Sequence, residues 1–121
     1  GFEDDRKSLI QRSVAENKHI IIDAAREGLA MDAVELSMYR DGSDIFCNDN
    51  RFQQCMNVSR NICNSNGRIH VNDCVNKSKE MIGNAEGVAG SKLLLKNYMA
   101  CMYSELTSKK DKEKLEACLN K

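Results

Sequence analysis

The chain has 121 residues, 41% of them hydrophobic, with no tryptophan, three phenylalanines and three tyrosines. That length suits one domain, residues 1–121, and predicts a thin core, because a short chain leaves much of its surface in water. Lys and Arg (18) balance Asp and Glu (18), so no net field holds a nucleic acid or an anionic bilayer by charge alone. No run approaches the roughly 18 consecutive apolar residues of a membrane span. The expectation is a soluble single helical domain with no nucleic-acid partner and no membrane span.

Proline is absent, which suits long helices, whose interiors it would break. From Asp4 to about Gly28 the residues Ile10, Val14, Ile21 and Ala25 recur at helical steps, with Asn17 taking one place on the stripe. This predicts a long first helix. Its opening Glu3-Asp4-Asp5 puts negative charge at the positive end of the helix dipole, and Gly28 supplies a stop or a bend. Asp32 is placed to cap a second piece through Tyr39, unless the first helix continues past Gly28; Met31, Val34 and Met38 line one side. Within it, Val34-Leu36-Met38 is where a period of two competes with the helical one.

Asp41-Gly42-Ser43-Asp44 reads as a turn. From about Asp44 to Cys63, the set Phe52, Cys55, Val58 and Ile62 steps by three, three and four residues, predicting one helix ended by Asn64-Ser65-Asn66-Gly67. A segment from about Val71 to Ile82 carries Val71, Cys74, Val75, Met81 and Ile82, then meets Gly83-Asn84. Gly83 to Gly90 reads as a loop. Ser91 starts a helix through Leu106, and Ser108-Lys109-Lys110-Asp111 signals a last short helix through Leu119. Four or five amphipathic helices joined by short turns close into a bundle. The expected fold class is therefore all-α, a disulfide-stabilised four-helix-type bundle with a long N-terminal helix.

The six cysteines are Cys47, Cys55, Cys63, Cys74, Cys101 and Cys118, and the nearest are separated by seven residues. Zinc sites favour closer pairs, in which two ligands on one turn point at one ion. Loose spacing in a chain with a thin core reads instead as three disulfides formed in an oxidising compartment, hence secretion. A start at Gly1 with no charged and apolar leader fits a mature form. Spacing does not choose the pairing; neighbours in helical hairpins are preferred, with Cys101 and Cys118 placed to clamp the last hairpin. Two sequons, Asn57-Val58-Ser59 and Asn76-Lys77-Ser78, are candidate glycan acceptors, or chance matches inside helices.

With the cysteines bridged, His19 and His70 are the bases left for chemistry near neutral pH. Neither has a partner histidine at metal-ligand spacing. Gly-x-Ser-x-Gly, a calcium loop and a phosphate-cradling glycine loop are all missing. No catalytic, cofactor-binding or metal residue is assigned, and the chain reads as a binder, not an enzyme. Met99 and Met102 line either a pocket or the core, core being the ordinary reading. Lys109, Lys110, Lys112 and Lys114 form either an anion-binding patch or, since Asp111, Glu113 and Glu116 interrupt them, a solvated face.

The acidic start Gly1-Phe2-Glu3-Asp4-Asp5, the long cysteine-free first helix, the six cysteines from Cys47 to Cys118 and the lack of proline together resemble the albicin and anophensin family of anopheline mosquito salivary proteins. The resemblance spans nearly the whole chain and contains no short diagnostic motif. It implies a helical bundle secreted in saliva that suppresses host defence during blood feeding. The implied partner is a host plasma protein complex, the alternative-pathway convertase of complement, held in a non-productive state. Some members are associated instead with the plasma contact and kallikrein system. No binding residue is carried over.

An inhibitor of this kind docks a rigid face through a few aromatic or arginine anchors. Tyr39, Arg40, Phe52, Tyr98 and Tyr103 are the available types, each open to a core role instead. The main alternative is a secreted carrier of small hydrophobic ligands, as in insect odorant-binding proteins. Those are also six-cysteine helical domains, but the gaps of seven residues between the second and third cysteines and sixteen between the fifth and sixth depart from their spacing.

Overall fold

A computed structural model describes residues 30–121. The predicted first helix, Asp4 to about Gly28, lies outside the described residues, as does His19. Within them the chain is all-helical, with seven helices and no strand. They are α1 (Ala30–Asp41), α2 (Asp44–Cys47), α3 (Asn50–Met56), α4 (Arg60–Arg68), α5 (Val71–Ile82), α6 (Gly87–Leu106) and α7 (Lys112–Leu119).

The helix α6 is the axis of the packing, with α1, α4 and α5 laid against it, while α2 contacts α3 and α4, and α3 contacts α7. Its Leu94, Leu95, Tyr98, Met99, Met102 and Tyr103 are all buried. The methionines are thus core filler, as their flexible thioethers suit irregular gaps. Val34 and Met38 of α1 and Cys74, Val75 and Ile82 of α5 complete the same core. Val34 and Met38 are buried while Leu36 is 69% exposed. The apparent period of two there is carried by a helix, in which a four-residue step, not a two-residue step, returns to one face. Asp32 lies in the first turn of α1 and does not cap it.

The single helix expected from Asp44 to Cys63 is three helices. Polar side chains divide it by offering the backbone local partners. Asp49 caps α3 by accepting from the Phe52 N–H, and Ser59 caps α4 by accepting from the Ile62 N–H. Between them Asn57 takes a left-handed conformation (φ +56°) that ends α3, a geometry asparagine tolerates better than most residues. Asn64-Ser65-Asn66-Gly67 does not end a helix: α4 runs through it to Arg68. Gly67 is a packing glycine, since a Cβ there would press on Ser43 Cβ and Oγ well inside van der Waals contact. The loop after α5 is also shorter than expected, because α6 begins at Gly87. Asp111 caps α7 through the Lys114 N–H, in line with the start signal read there.

All six cysteines are bridged, Cys47–Cys63, Cys55–Cys118 and Cys74–Cys101. Cys74–Cys101 joins neighbours in the α5–α6 hairpin. The expected clamp between Cys101 and Cys118 does not form. The chain reverses after α6 so that α7 packs on α3, where Arg51 Nη1 donates to the Leu119 carbonyl at 3.1 Å, and Cys118 meets Cys55. Phe46, Phe52 and Tyr103 meet at centroid distances of 5.7, 5.8 and 6.4 Å in tilted pairs, joining α2 and α3 to α6.

Two outcomes follow. Cys55–Cys118 closes 63 residues and Cys47–Cys63 closes 16, so replacing both cysteines of the longer bridge with alanine lowers stability more, by about 1 kcal/mol from loop-closure entropy. Denaturant unfolding of the two double variants measures this. Gly67→Ala is expected to cost about 1–3 kcal/mol by overpacking, and Ser43→Gly in the same chain recovers part of it, as thermal unfolding will report.

Candidate functional site

Burial divides the five candidate anchors. Phe52, Tyr98 and Tyr103 are fully buried and available to no partner. Tyr39 is 44% exposed, and Arg40 beside it is exposed. Both sit in the last turn of α1, where successive residues fan outward before the chain turns at Gly42.

These two residues form one side of a surface cleft of about 560 Å³, completed by Asp41 to Asp44, by Arg60, Asn61, Asn64 and Arg68 of α4, and by Val71 and Asn72 of α5. Three guanidinium groups therefore share the cleft with one tyrosine ring. Sequence reasoning missed Arg60 and Arg68. They sit eight residues apart, a spacing that keeps both on one face of a helix, but the turn expected at Asn64 to Gly67 put Arg68 outside the helix that holds Arg60.

The cleft is held from below and from the side. Gly42 (φ +59°) ends α1 with its N–H on the Met38 carbonyl at 2.7 Å. The Tyr98 hydroxyl donates to the Gly42 carbonyl at 2.5 Å, tying that turn to the core helix α6. Burial pushes the Tyr98 hydroxyl well above its usual pKa, so it stays protonated and remains a donor.

On the α4 side, Arg60 Nε and Nη2 donate to Asp44 Oδ1 and Oδ2 at 2.9 and 2.6 Å. Asn64 Nδ2 donates to Asp44 Oδ1 at 2.8 Å, and the Ser43 hydroxyl donates to Asn64 Oδ1 at 3.0 Å. The Cys47–Cys63 bridge staples the same two helices. Arg40 is paired with its neighbour Asp41 through Nε and Nη2 at 2.9 and 3.0 Å. With Asp41 and Asp44 engaged in this way, three arginines face two carboxylates and the cleft carries an excess of positive charge. Such a surface offers planar, multi-donor groups to an acidic or carbonyl-rich partner surface.

The remaining candidates lie elsewhere. His70 is the N-cap residue of α5 without a side-chain cap bond, its Nδ1 3.3 Å from Glu105 Oε2. No cluster of three His, Cys, Asp or Glu side chains able to hold a metal occurs among the described residues. Lys109, Lys110 and Lys114 are exposed on and before α7, while Lys112 Nζ turns inward to donate to Thr107 Oγ1 at 2.7 Å. Asn57 and Asn76 are both exposed. No described helix is long and apolar enough to cross a membrane.

The hydrogen bonds from Arg60, helped by Asn64, hold the Asp44 carboxyl below its ordinary pKa against the opposing effect of burial. A carboxyl depressed on folding stabilises the fold above its unfolded value, about 3.9, and loses that contribution as pH falls through the folded value. Asp44→Asn is thus expected to lower the melting temperature at pH 7 and to leave little deficit near pH 2. Equal deficits at both pH values would contradict the assignment.

Comparison of the chain with protein-family models, with curated proteins and with solved structures found no match to any of them.

Proposed function

We propose that the protein is a secreted inhibitor of host defence that acts by binding, and that its target is the alternative-pathway convertase of complement. The observation that carries the binding reading is the exposure of Tyr39 and Arg40 together on a cleft with Arg60 and Arg68. Tyrosine and arginine are the side chains that most often dominate protein interfaces, the first through a rigid amphipathic ring and the second through a planar donor set. The cross-linked frame beneath them limits the ordering cost of docking. Three disulfides fit an oxidising, extracellular setting.

The choice of target comes from the resemblance to the anopheline salivary family. Its acidic start, its six cysteines after residue 46 and its lack of proline are the features in common. A polar cleft rimmed by arginines suits a protein surface better than a small hydrophobic ligand, which calls for an enclosed, mainly apolar cavity.

The test is lysis of erythrocytes by human serum through the alternative pathway, with the classical pathway and kallikrein generation as controls. Selective inhibition at submicromolar dose supports the reading. A fall in kallikrein alone moves the target to the contact system, and uptake of a fluorescent lipid without either effect indicates a carrier. In the active assay, Tyr39→Ala or Arg40→Ala is expected to raise the half-inhibitory dose by about 30-fold, the equivalent of a 2 kcal/mol hot spot. Lys114→Ala, on α7 and outside the cleft, leaves it unchanged.

A further inference from the structure

We propose that Asn57 is an N-glycosylation site whose oligosaccharide lies over the partly apolar groove beside the α3–α4 turn. The inference rests on the oxidising compartment that three disulfides indicate, and is independent of the target of inhibition.

Two separate observations converge on this turn. The first is the geometry of the sequon. Asn57-Val58-Ser59 occupies the junction between two short helices, with Asn57 exposed and left-handed (φ +56°) and Ser59 extended (ψ 163°). The acceptor amide therefore stands in water with room for a bulky substituent. Asn76-Lys77-Ser78 offers a contrast inside α5. Ser78 is fully buried and its hydroxyl donates to the Cys74 carbonyl at 2.6 Å, one turn from the Cys74–Cys101 bridge. Once α5 forms, the hydroxyl on which sequon recognition depends is turned into the core.

The second observation is what flanks Asn57. Met56, Val58, Ile69 and Leu106 are the apolar part of the lining of a groove of about 630 Å³, whose remaining wall is polar and includes His70, Glu105, Lys109 and Lys110. Ile69, the residue that follows α4, is 78% exposed, the most exposed of the large apolar side chains described. A large β-branched side chain left in water beside a groove is unfavourable surface. The inner sugars of a glycan rooted at residue 57 have apolar ring faces to lay across it, and hydroxyls to present to solvent.

The transfer is balanced as follows. The Asn57 amide nitrogen attacks C1 of a lipid pyrophosphate-linked oligosaccharide, forming the C–N bond and giving up one proton. The C1–O bond breaks, and the pyrophosphate leaves with its electron pair.

The experiment is secretion of the full chain from insect cells behind a signal peptide, followed by intact mass and peptide mapping before and after peptide-N-glycosidase. One glycan at Asn57 is expected, with release converting that residue to aspartate. Asn57→Gly, which suits the left-handed backbone, and Ser59→Ala both lose the glycan. Ser59→Thr, which keeps both the sequon and the helix cap, retains it, as does Asn76→Gln. Enzymatic release is expected to raise binding of an apolar fluorescent dye several-fold. Secretion of a chain with all three disulfides but without a glycan at Asn57 overturns the proposal. Occupancy of Asn57 with dye binding unchanged on release overturns the placement over the groove.

Discussion

Three short helices in the middle of the chain hold their shape because they are cross-linked. The helices α2, α3 and α4 have four, seven and nine residues, and an isolated helix shorter than about 12 residues is marginal in water. Cys47–Cys63 ties α2 to α4, and Cys55–Cys118 ties α3 to the last helix. Each bridge fixes a helix that its own apolar stripe is too small to fix. The aromatic cluster of Phe46, Phe52 and Tyr103 then fills the space the bridges define, drawing on α2, α3 and the long α6.

The same frame positions the cleft. Its two rims come from elements far apart in sequence, the end of α1 and the outer face of α4, and each is anchored differently. Tyr98, reaching 56 residues back along the chain, holds the Gly42 turn from inside the core. Asp44 holds Arg60 and Asn64 from the solvent side. Gly67 allows α4 to approach Ser43 closely enough for that network to form. A second buried polar pair, the Tyr103 hydroxyl donating to Glu116 Oε1, ties α6 to α7 within the core. Polar side chains at each of these places do the positioning that a larger apolar core would do in a longer chain.

Much of the fold could be read along the chain where the apolar rhythm is long. The segment Val71–Ile82 emerges with the boundaries its periodicity indicated, and Asp111 starts α7 as its capping pattern suggested. Reading failed where polar residues are ambiguous. Asn57 and Ser59 interrupt a stripe that otherwise steps like one helix, while Asn64 to Gly67, composed like a turn, stay helical because Gly67 packs on Ser43. Local composition states what a residue tolerates, and the neighbour that it meets decides which tolerance is used.

By itself, the sequence determined the helical class, through its lack of proline and its three- and four-residue apolar steps. It also determined that the cysteines would be spent on bridges, through their even number and loose spacing. Only the tertiary structure decided which cysteine meets which, because the partner of Cys118 depends on α7 turning back onto α3. It also decided which tyrosine stays exposed to solvent. Tyr39, Tyr98 and Tyr103 all sit on helices, and their side chains are alike in composition and reach. One lies on the open end of α1, while the other two are covered by elements brought in from elsewhere in the chain, and that covering is a property of the packing of distant segments.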